Sequence, residues 1–471
     1  MKPSKSLFLA TASLLAAAST ILAATRPHYG GALRVEMRAA IRDLDPAAAT
    51  VESESRAARA KLLPLVFETL VRFDEEGRPE PLLASSWQPD SRLQRWEFRL
   101  RTGVRFQDGT ALTPGLAVAA LGVANRGWQV TEARDAVVIE SEHPMPQLPW
   151  DLADPSLAIV LRGAGGAPVG TGPFRIAEWE AGRRARFTAN EEYWGGRPFL
   201  DSVNLEMGRS PRDQLLDLEL DKADFVELPP QETRRTSSRP AMVWSSAPVE
   251  LVALVFDRGR ANSIDIKTRK ALALSIDRSA IHTVLLQRRG EPAESLLPAW
   301  LSGYAFLFSG GRAPGQAPHP ASSIAAGAAA LELSFDATDP LAKVIAERIA
   351  VDARTAGIVI QLAGKGGATK PGTADLRLER AKIRPATAAT ALSELIAALG
   401  LNDYRLEPAP ASLQAVYASE RSVLEDYVVI PLLHLPETYA VSQRVRSWNT
   451  PAVLRTGEWR FEDVWLFPEK P

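Results

Sequence analysis

The spacing of apolar positions changes period along this chain, and each change marks an element. The first regular pattern is YGGALRVEM, where a glycine turn precedes Leu33, Val35 and Met37 on one face of an expected strand over 33–37. Residues 57–73 read as a helix followed by an extended segment, and FDEEGRPEP, with Gly77, as a charged turn. In RWEFRLRTGVRF, Trp96, Phe98 and Leu100 point one way and Glu97, Arg99 and Arg101 the other. That alternation predicts a half-buried antiparallel strand. QDGT supplies the next turn, and Thr113-Pro114 starts a short helix by capping and a fixed φ.

The clearest local unit is LELSFDATDPLAKVIAERIAVDARTAGIVIQL. It predicts a strand over 331–335, Asp339 as N-cap, Pro340 at the first helical position, and then a helix. Leu341, Ile345, Ile349 and Ala356 fall near one face, Gly357 stops the helix, and 358–362 forms a second strand. Strand, crossover helix and strand make a βαβ unit in a mostly parallel sheet. ADLRLER, 374–380, alternates as a third strand. The later half therefore holds an α/β lobe, whereas residues 60–110 look antiparallel. Residues 309–330, rich in Gly, Pro, Ala and Ser, read as a surface loop or local linker, and no internal repeat emerges.

NEEYWGGRPFLDSV, 190–203, sets Tyr193 and Trp194 directly before Gly195 and Gly196. Adjacent aromatics face opposite ways in an extended segment, so the pair can pin a turn against two surfaces at once. Gly-Gly reverses the backbone and Pro198 stiffens the exit. The motif predicts a structural corner.

Composition then narrows the setting. Lys2 and Lys5 precede an apolar, alanine-rich run over 7–18, and small residues near Ala23 and Ala24 offer a cleavage point. Residues 1–24 therefore read as a secretory signal, and the rest as exported and soluble. The remainder is long enough for two or three domains. Net charge is −1 without long single-sign blocks, which argues against a nucleic-acid or lipid-headgroup surface. The chain has no cysteine, so it forms no disulfides, thiolate metal sites or N-terminal lipid attachment. A periplasmic location follows more naturally than a surface lipoprotein.

Catalytic signatures are missing. There is no H-E-x-x-H, no G-x-S-x-G and no G-x-G-x-x-G after a strand. GKGGATK, 364–370, lacks the Gly-Lys-Ser/Thr ending of a phosphate loop. His28, His143, His282, His319 and His434 show no ligand spacing, and the paired carboxylates Glu75-Glu76 and Glu191-Glu192 sit in turns. No catalytic residue, metal site or cofactor is expected.

Seven separated stretches carry a resemblance: GGALRV; VFETLVRFDEEGRPEPLLASSWQ; WEFRLRTGVRFQDGTALT; VGTGPFRIAEWEAGRRARFTANEEYWGGRPFLDSV; VFDRGRANSIDIKTRKALALSIDRSAI; VIPLLHLPETYAV; and EWRFEDVWL. In this order they resemble the periplasmic solute-binding proteins of the peptide- and nickel-transport type, solute-binding family 5. Asn190, Tyr193, Trp194 and Gly195 look like that family's N-x-x-Y-W-G corner. The resemblance implies an α/β, two-lobed periplasmic binding protein of the type II-like class, with an extra subdomain inserted in the first lobe. Lobe 1 would comprise 25–50, 166–248 and the return over 436–471, with the insert over 51–165 and lobe 2 over 249–435. It also implies an ABC importer component, a monomer that captures a peptide-like or other small solute and delivers it to a permease and ATPase. Closure would be a hinge motion with no covalent step. The family's peptide binders carry a late tryptophan-and-aspartate motif that ADLRLERAKIRPATAATALSELIAALG lacks, and Asp257 stands where an asparagine is common.

In open α/β sheets, ligands sit beyond the carboxyl ends of strands. Strand 33–37 delivers Arg38 and Arg42, strand 374–379 delivers Glu379 and Arg380, and VALVFDR ends at Asp257 and Arg258. The family comparison adds Thr50 and Glu52 on the cleft wall, and Trp244 is a candidate for stacking on a solute or for packing at the hinge. Two other functions fit the same residues, a solute sensor that has lost transport and an exported hydrolase using cleft carboxylates.

Overall fold

The structure is a computed structural model that describes residues 26–48, 53–123, 127–162, 167–229, 241–257, 259, 264–304, 330–366, 374–384, 387–404, 406 and 412–467. The expected signal over 1–24 and all but residue 330 of the expected loop over 309–330 lie outside the described residues.

The first strand, β1 (Ala32–Glu36), buries Leu33 and Val35, and helix α1 (Ser53–Val66) lays Ala58, Leu62, Leu63 and Val66 into the same core. Next comes a subdomain with a core of its own, running from Leu70 to Ile159. It contains β2 (Val71–Phe73), β3 (Pro79–Pro81), β4 (Ala84–Pro89), β5 (Arg95–Leu100), α2 (Pro114–Val123), β6 (Gln129–Glu132), β7 (Ala136–Glu140) and the one-turn α3 (Leu148–Asp151). As the alternation predicts, β5 is antiparallel to both β4 and β7, with Trp96, Phe98 and Leu100 buried. Helix α1 shares the apolar core of the lobe 1 sheet, whereas the core of the subdomain begins at Leu70. A small hairpin, β8 (Leu161–Arg162) and β9 (Pro168–Val169), leads back.

Lobe 1 continues with β10 (Phe174–Glu180), β11 (Arg184–Ala189), β12 (Ser202–Glu206), α4 (Pro211–Glu219) and β13 (Phe225–Glu227). The long strand β14 (Met242–Phe256) then crosses into lobe 2. There follow α5 (Ile266–Ser275), β15 (Glu291–Pro292), α6 (Ala299–Ser302), β16 (Leu331–Asp336), α7 (Pro340–Arg354), β17 (Ile360–Lys365), β18 (Leu376–Lys382), α8 (Ala388–Ala398) and α9 (Leu413–Glu425). A second long strand, β19 (Val429–Val441), returns to lobe 1, which closes with β20 (Val445–Ser447) and β21 (Val464–Leu466).

The expected βαβ unit is present: β16 and β17 pair in parallel around α7. Asp339 caps α7 by accepting from Leu341 N at 2.9 Å, and Gly357 follows at φ +73°. Strand β17 opens at Ile360, two residues later than expected, because Ile358 N still donates to Ala353 O at 3.1 Å and closes the helix. The sheet is mixed, since β18 runs antiparallel to β14 and parallel to β16.

One path of strands, β10-β11-β12-β1-β13-β19-β14-β18-β16-β17, joins the two lobes. Its middle is the pair β14–β19. Met242 to Ser245 pair with Val441 to Thr438 in lobe 1, and Glu250 to Val255 pair with Leu435 to Val429 in lobe 2. Between them Pro248 lies opposite Pro436, and the register shifts on both sides of Pro248. Proline has no N–H to give a ladder, so the two prolines weaken the pairing where the lobes meet. This bulged stretch is where the two lobes join, the position a hinge would occupy. Lobe 1 is completed by the C-terminal return: Phe225 stacks on Tyr439 at 4.6 Å and meets Trp459 and Phe461 edge-on at 5.3 and 5.5 Å.

Candidate functional site

The parallel strands of both lobes end at the hinge. Glu227, the last residue of β13, pairs with Tyr439, and β1 and β12 run parallel beside it. From the other side Lys382, the last residue of β18, pairs with Glu250. Carboxyl ends of strands from two lobes thus converge on the bulged middle of β14–β19, the position where open α/β sheets take ligands.

The floor there is a chain of half-buried ion pairs around the buried Glu250. Lys61 of α1 places Nζ 2.8 Å from Glu437 Oε2 and donates to the Tyr439 hydroxyl at 3.0 Å. Lys382 bridges Glu437 at 3.3 Å and Glu250 at 3.0 Å. Arg380 holds Glu250 with Nε at 2.7 Å and Nη2 at 3.0 Å, and its Nη1 pairs with Asp339. Period-2 alternation explains the set: Arg380 and Lys382 share one face of β18, opposite Glu250 and Val252 on β14. Asp339 works twice, capping α7 and pairing with Arg380.

Burial would raise the Glu250 carboxyl, yet Arg380 and Lys382 outweigh it and hold Glu250 well below the usual carboxylate range. Glu437 follows the same logic, with Lys61 and Lys382 overcoming burial to bring it to about 2. Burial would lower the Arg380 guanidinium, but Glu250 and Asp339 push it upward. Charges that attract one another this strongly stay ionised.

Arg380 is therefore in the convergent site, with its guanidinium already engaged by two carboxylates. Glu379, its neighbour, lies on the opposite face of β18 and accepts from Arg377. Arg38 is exposed just past β1, its backbone N donating to Glu227 Oε2 at 2.7 Å. Arg42 is exposed farther along lobe 1, where its carbonyl accepts from Trp179 Nε1 at 3.1 Å. Trp244 sits on the lobe 1 half of β14, half-buried, its ring 6.2 Å from Phe225.

Asp257 lies away from this convergence. Because β14 runs antiparallel to β18, the carboxyl end of β14 lies at the opposite edge of lobe 2 from the hinge. Asp257 is buried there, its N donating to Asp375 O at 2.9 Å, about 20 Å along the strand from Glu250. Thr50, Glu52 and Arg258 lie outside the described residues.

Lys61, Glu250, Asp339, Lys382, Glu437 and Tyr439 are in the site and escape the sequence reading. Glu250 and Glu437 do leave a signal. Each is a lone carboxylate inside an apolar strand run, and a buried charge needs a partner.

The corner at 190–196 behaves as its sequence suggests. Tyr193 N donates to Asn190 O at 3.1 Å, Gly196 N to Tyr193 O at 2.9 Å, and Gly196 adopts φ +100°. Both aromatics donate to one buried carboxylate, Glu68: the Tyr193 hydroxyl at 2.7 Å and Trp194 Nε1 at 2.8 Å, with Thr171 Oγ1 at 2.7 Å. Burial raises the Glu68 pKa against these three donors. A polar pocket walled by Glu68, Arg72, Tyr193, Glu458 and Arg460 lies beside the corner, between the insert and the C-terminal return. It leaves about 30 Å³, room for one or two waters, and it lies apart from the hinge.

Among the described residues no group of three or more His, Cys, Asp or Glu is placed to hold a metal ion, and no helix is long and apolar enough to cross a membrane.

Comparison with known proteins gives this architecture a family. The chain is 26% identical over 350 residues to the nickel-binding periplasmic protein of Escherichia coli (strain K12), covering 64% of this chain and 66% of that one. It spans only about half, 49%, of the length of the Staphylococcus aureus nickel-binding protein NikA that it also matches. Its fold is similar to the Escherichia coli murein tripeptide binding protein MppA, with a TM-score of 0.74 at 16% identity over 94% of this chain and 100% of that one. NikA from Brucella suis in complex with Fe(III)-EDTA is similar too, with a TM-score of 0.74 at 19% identity over 93% and 100%. The model of bacterial extracellular solute-binding proteins, family 5 Middle, matches residues 128–381, more than half of the chain. With its two lobes joined at one bulged strand pair, the chain belongs to the bacterial extracellular solute-binding proteins of family 5.

Proposed function

We propose that the protein is the extracytoplasmic solute-binding component of an ABC import system. It takes a peptide-like or other small solute between its lobes and delivers it to a permease and ATPase at the inner membrane. One observation carries the reading: strand ends from both lobes converge on a proline-weakened hinge, so a solute touching both ends favours one lobe arrangement. Relatives named as nickel-binding and di/tripeptide-binding proteins support a small solute of one of these kinds. Arg38 and Arg42 stand at the lobe 1 wall, and Arg380 at the lobe 2 wall. The protein works as a monomer in the periplasm, released from its signal near Thr25 and unacylated for want of a cysteine.

The test starts with mass spectrometry of solute carried through native purification. Titration calorimetry and solution scattering with the identified compound follow. Stoichiometric binding that shrinks the radius of gyration supports capture between lobes. Binding with no compaction, or chemical turnover of the solute, refutes the proposal.

A further inference from the structure

The insert is attached to lobe 1 by its own chain, yet it also reaches lobe 2. On one side Asp154, which caps a short turn by accepting from Ser156 N at 2.9 Å, turns its other oxygen to Arg384 Nη1 at 3.0 Å. Arg384 is aimed there by Glu394, which takes its Nε at 3.1 Å and Nη2 at 2.6 Å. Beside it Gln147 Oε1 accepts from Thr390 Oγ1 at 2.7 Å and from Thr387 Oγ1. Thr387 is the N-cap of α8, so the contact meets a fixed helix end.

A second contact lies at the tip of the β2–β3 hairpin. Trp300 of α6 donates Nε1 to Pro248 O at 2.7 Å, which seats its ring against the hinge. A methyl group added to Gly77 would lie 3.4 Å from the edge of that ring and 3.7 Å from Thr456. The hairpin tip thus lies close to lobe 2, with space for about one methyl group between them.

Each body has an apolar core apart from these contacts. The insert closes its own apolar core, and lobe 2 closes another that contains β14, β16, β18 and α7. Arg384 is 45% exposed and Asp154 20%, so their pairing is screened and weak. A weak contact between two complete bodies, joined covalently only through β14 and β19, can be made and released without unfolding anything.

We propose that the insert is an inter-lobe clasp, in which Gln147 and Asp154 grip Arg384, Thr387 and Thr390 and set how much of the protein has its lobes together before any solute arrives. Removing one grip should raise the fraction of open molecules about two- to five-fold, the range for an exposed pair.

The chain's lack of cysteine makes the test clean. Arg134→Cys in the exposed β6–β7 turn of the insert and Val351→Cys on the exposed face of α7 accept nitroxide labels for pulsed distance measurements. The full-length protein is unfolded, dialysed and refolded to strip carried solute, and compared with Asp154→Asn, Arg384→Ala, Gln147→Ala and the Asp154→Asn/Arg384→Ala pair. Longer distances should gain weight in each single variant, at unchanged melting temperature, and the pair should open no further than its stronger single member. Identical distance distributions in the parent and all variants overturn the clasp. Additive opening in the pair overturns the direct contact of Asp154 with Arg384. No solute enters the measurement, so its failure and the failure of the transport reading are separate outcomes.

Discussion

Glu437→Gln asks whether the ion pairs at the hinge act as an electrostatic unit or merely fill space. The wild-type carboxylate, with 11% of its side chain exposed, receives Lys61 Nζ at 2.8 Å and Lys382 Nζ at 3.3 Å. The Tyr439 hydroxyl donates to it at 3.0 Å. Burial alone would raise its pKa, and the two ammonium groups reverse this, bringing it from 4.5 to about 2. A displacement of that size is equivalent to about 3 kcal/mol of folding free energy at neutral pH. The sign follows from the lowered value. The unfolded chain binds the proton more readily, so the contribution is complete above about pH 4.5 and is lost as pH falls through about 2.

Glutamine keeps the size and one acceptor oxygen but removes the charge. The variant should therefore be about 3 kcal/mol less stable than the parent at pH 7, with less than half of that difference left at pH 3. Urea unfolding at a series of pH values reads it. Tryptophan fluorescence and circular dichroism should be recorded together, because a chain with several separate apolar cores need not unfold in one step. An equal difference at pH 3 and pH 7 would show that packing, not charge, is lost. No difference at any pH would leave the pairs without a role.

Three further perturbations follow from the same geometry. Trp194→Phe removes one donor from the Glu68 carboxyl while keeping most of the ring, and should lower stability by about 1.5 to 3 kcal/mol with solute affinity unchanged; calorimetry showing lost affinity at an unchanged melting temperature would make Trp194 a solute contact. Arg380→Ala leaves Glu250 buried with Lys382 alone and should cost about 3 to 5 kcal/mol in denaturant titrations, so a change below about 1 kcal/mol would contradict the pairing. Glu36, raised to about 7 first by burial and then by Asp217, keeps its proton in the native state while the unfolded chain loses it from about pH 4.5 upward. Stability should fall between those pH values, and Glu36→Gln should flatten that part of the melting-temperature profile; parallel profiles would exclude Glu36 as the cause.

Elements specified by local chemistry were legible in the sequence. Helix α7 has its cap, its first-turn proline and its terminal glycine within one stretch, and β5 shows its two faces in six residues. The strand pair at the hinge was not legible as a unit. VALVF reads as one short strand, but β14 begins at Met242, and Ser245, Ser246 and Pro248 break the apolar pattern of its first half. What holds that half in a strand is pairing with Thr438 to Val441, nearly two hundred residues away. Such contacts have no local period to betray them. The shared core of helix α1 and β1 is likewise a contact that no local period records.

The candidate site was legible in part, and its missing half bears on what the cleft can hold. The rule of carboxyl strand ends leads to Arg380 because β18 runs toward the hinge, and leads away to Asp257 because β14 runs from it. Direction within a sheet depends on pairing, and a single strand's sequence does not record it. Alternation then parts Glu379 from Arg380, since neighbours on a strand face opposite ways. The carboxylates that complete the site come from β14, β19 and the loop before α7, none of them near Arg380 in sequence. Once they are in place, Lys61, Lys382 and Arg380 stand against Glu250, Asp339 and Glu437, and the named charges balance. An anionic solute that took Arg380 for itself would strand Glu250 or Asp339 in a buried setting, which costs more than a single charged hydrogen bond returns. Such a solute gains only if it leaves these pairs intact and meets cations elsewhere; Arg38 and Arg42, both exposed on lobe 1, are the ones proposed. Charge removal at Arg42 should then weaken an anionic solute with little loss of stability, whereas removal at Arg380 should act first on the fold.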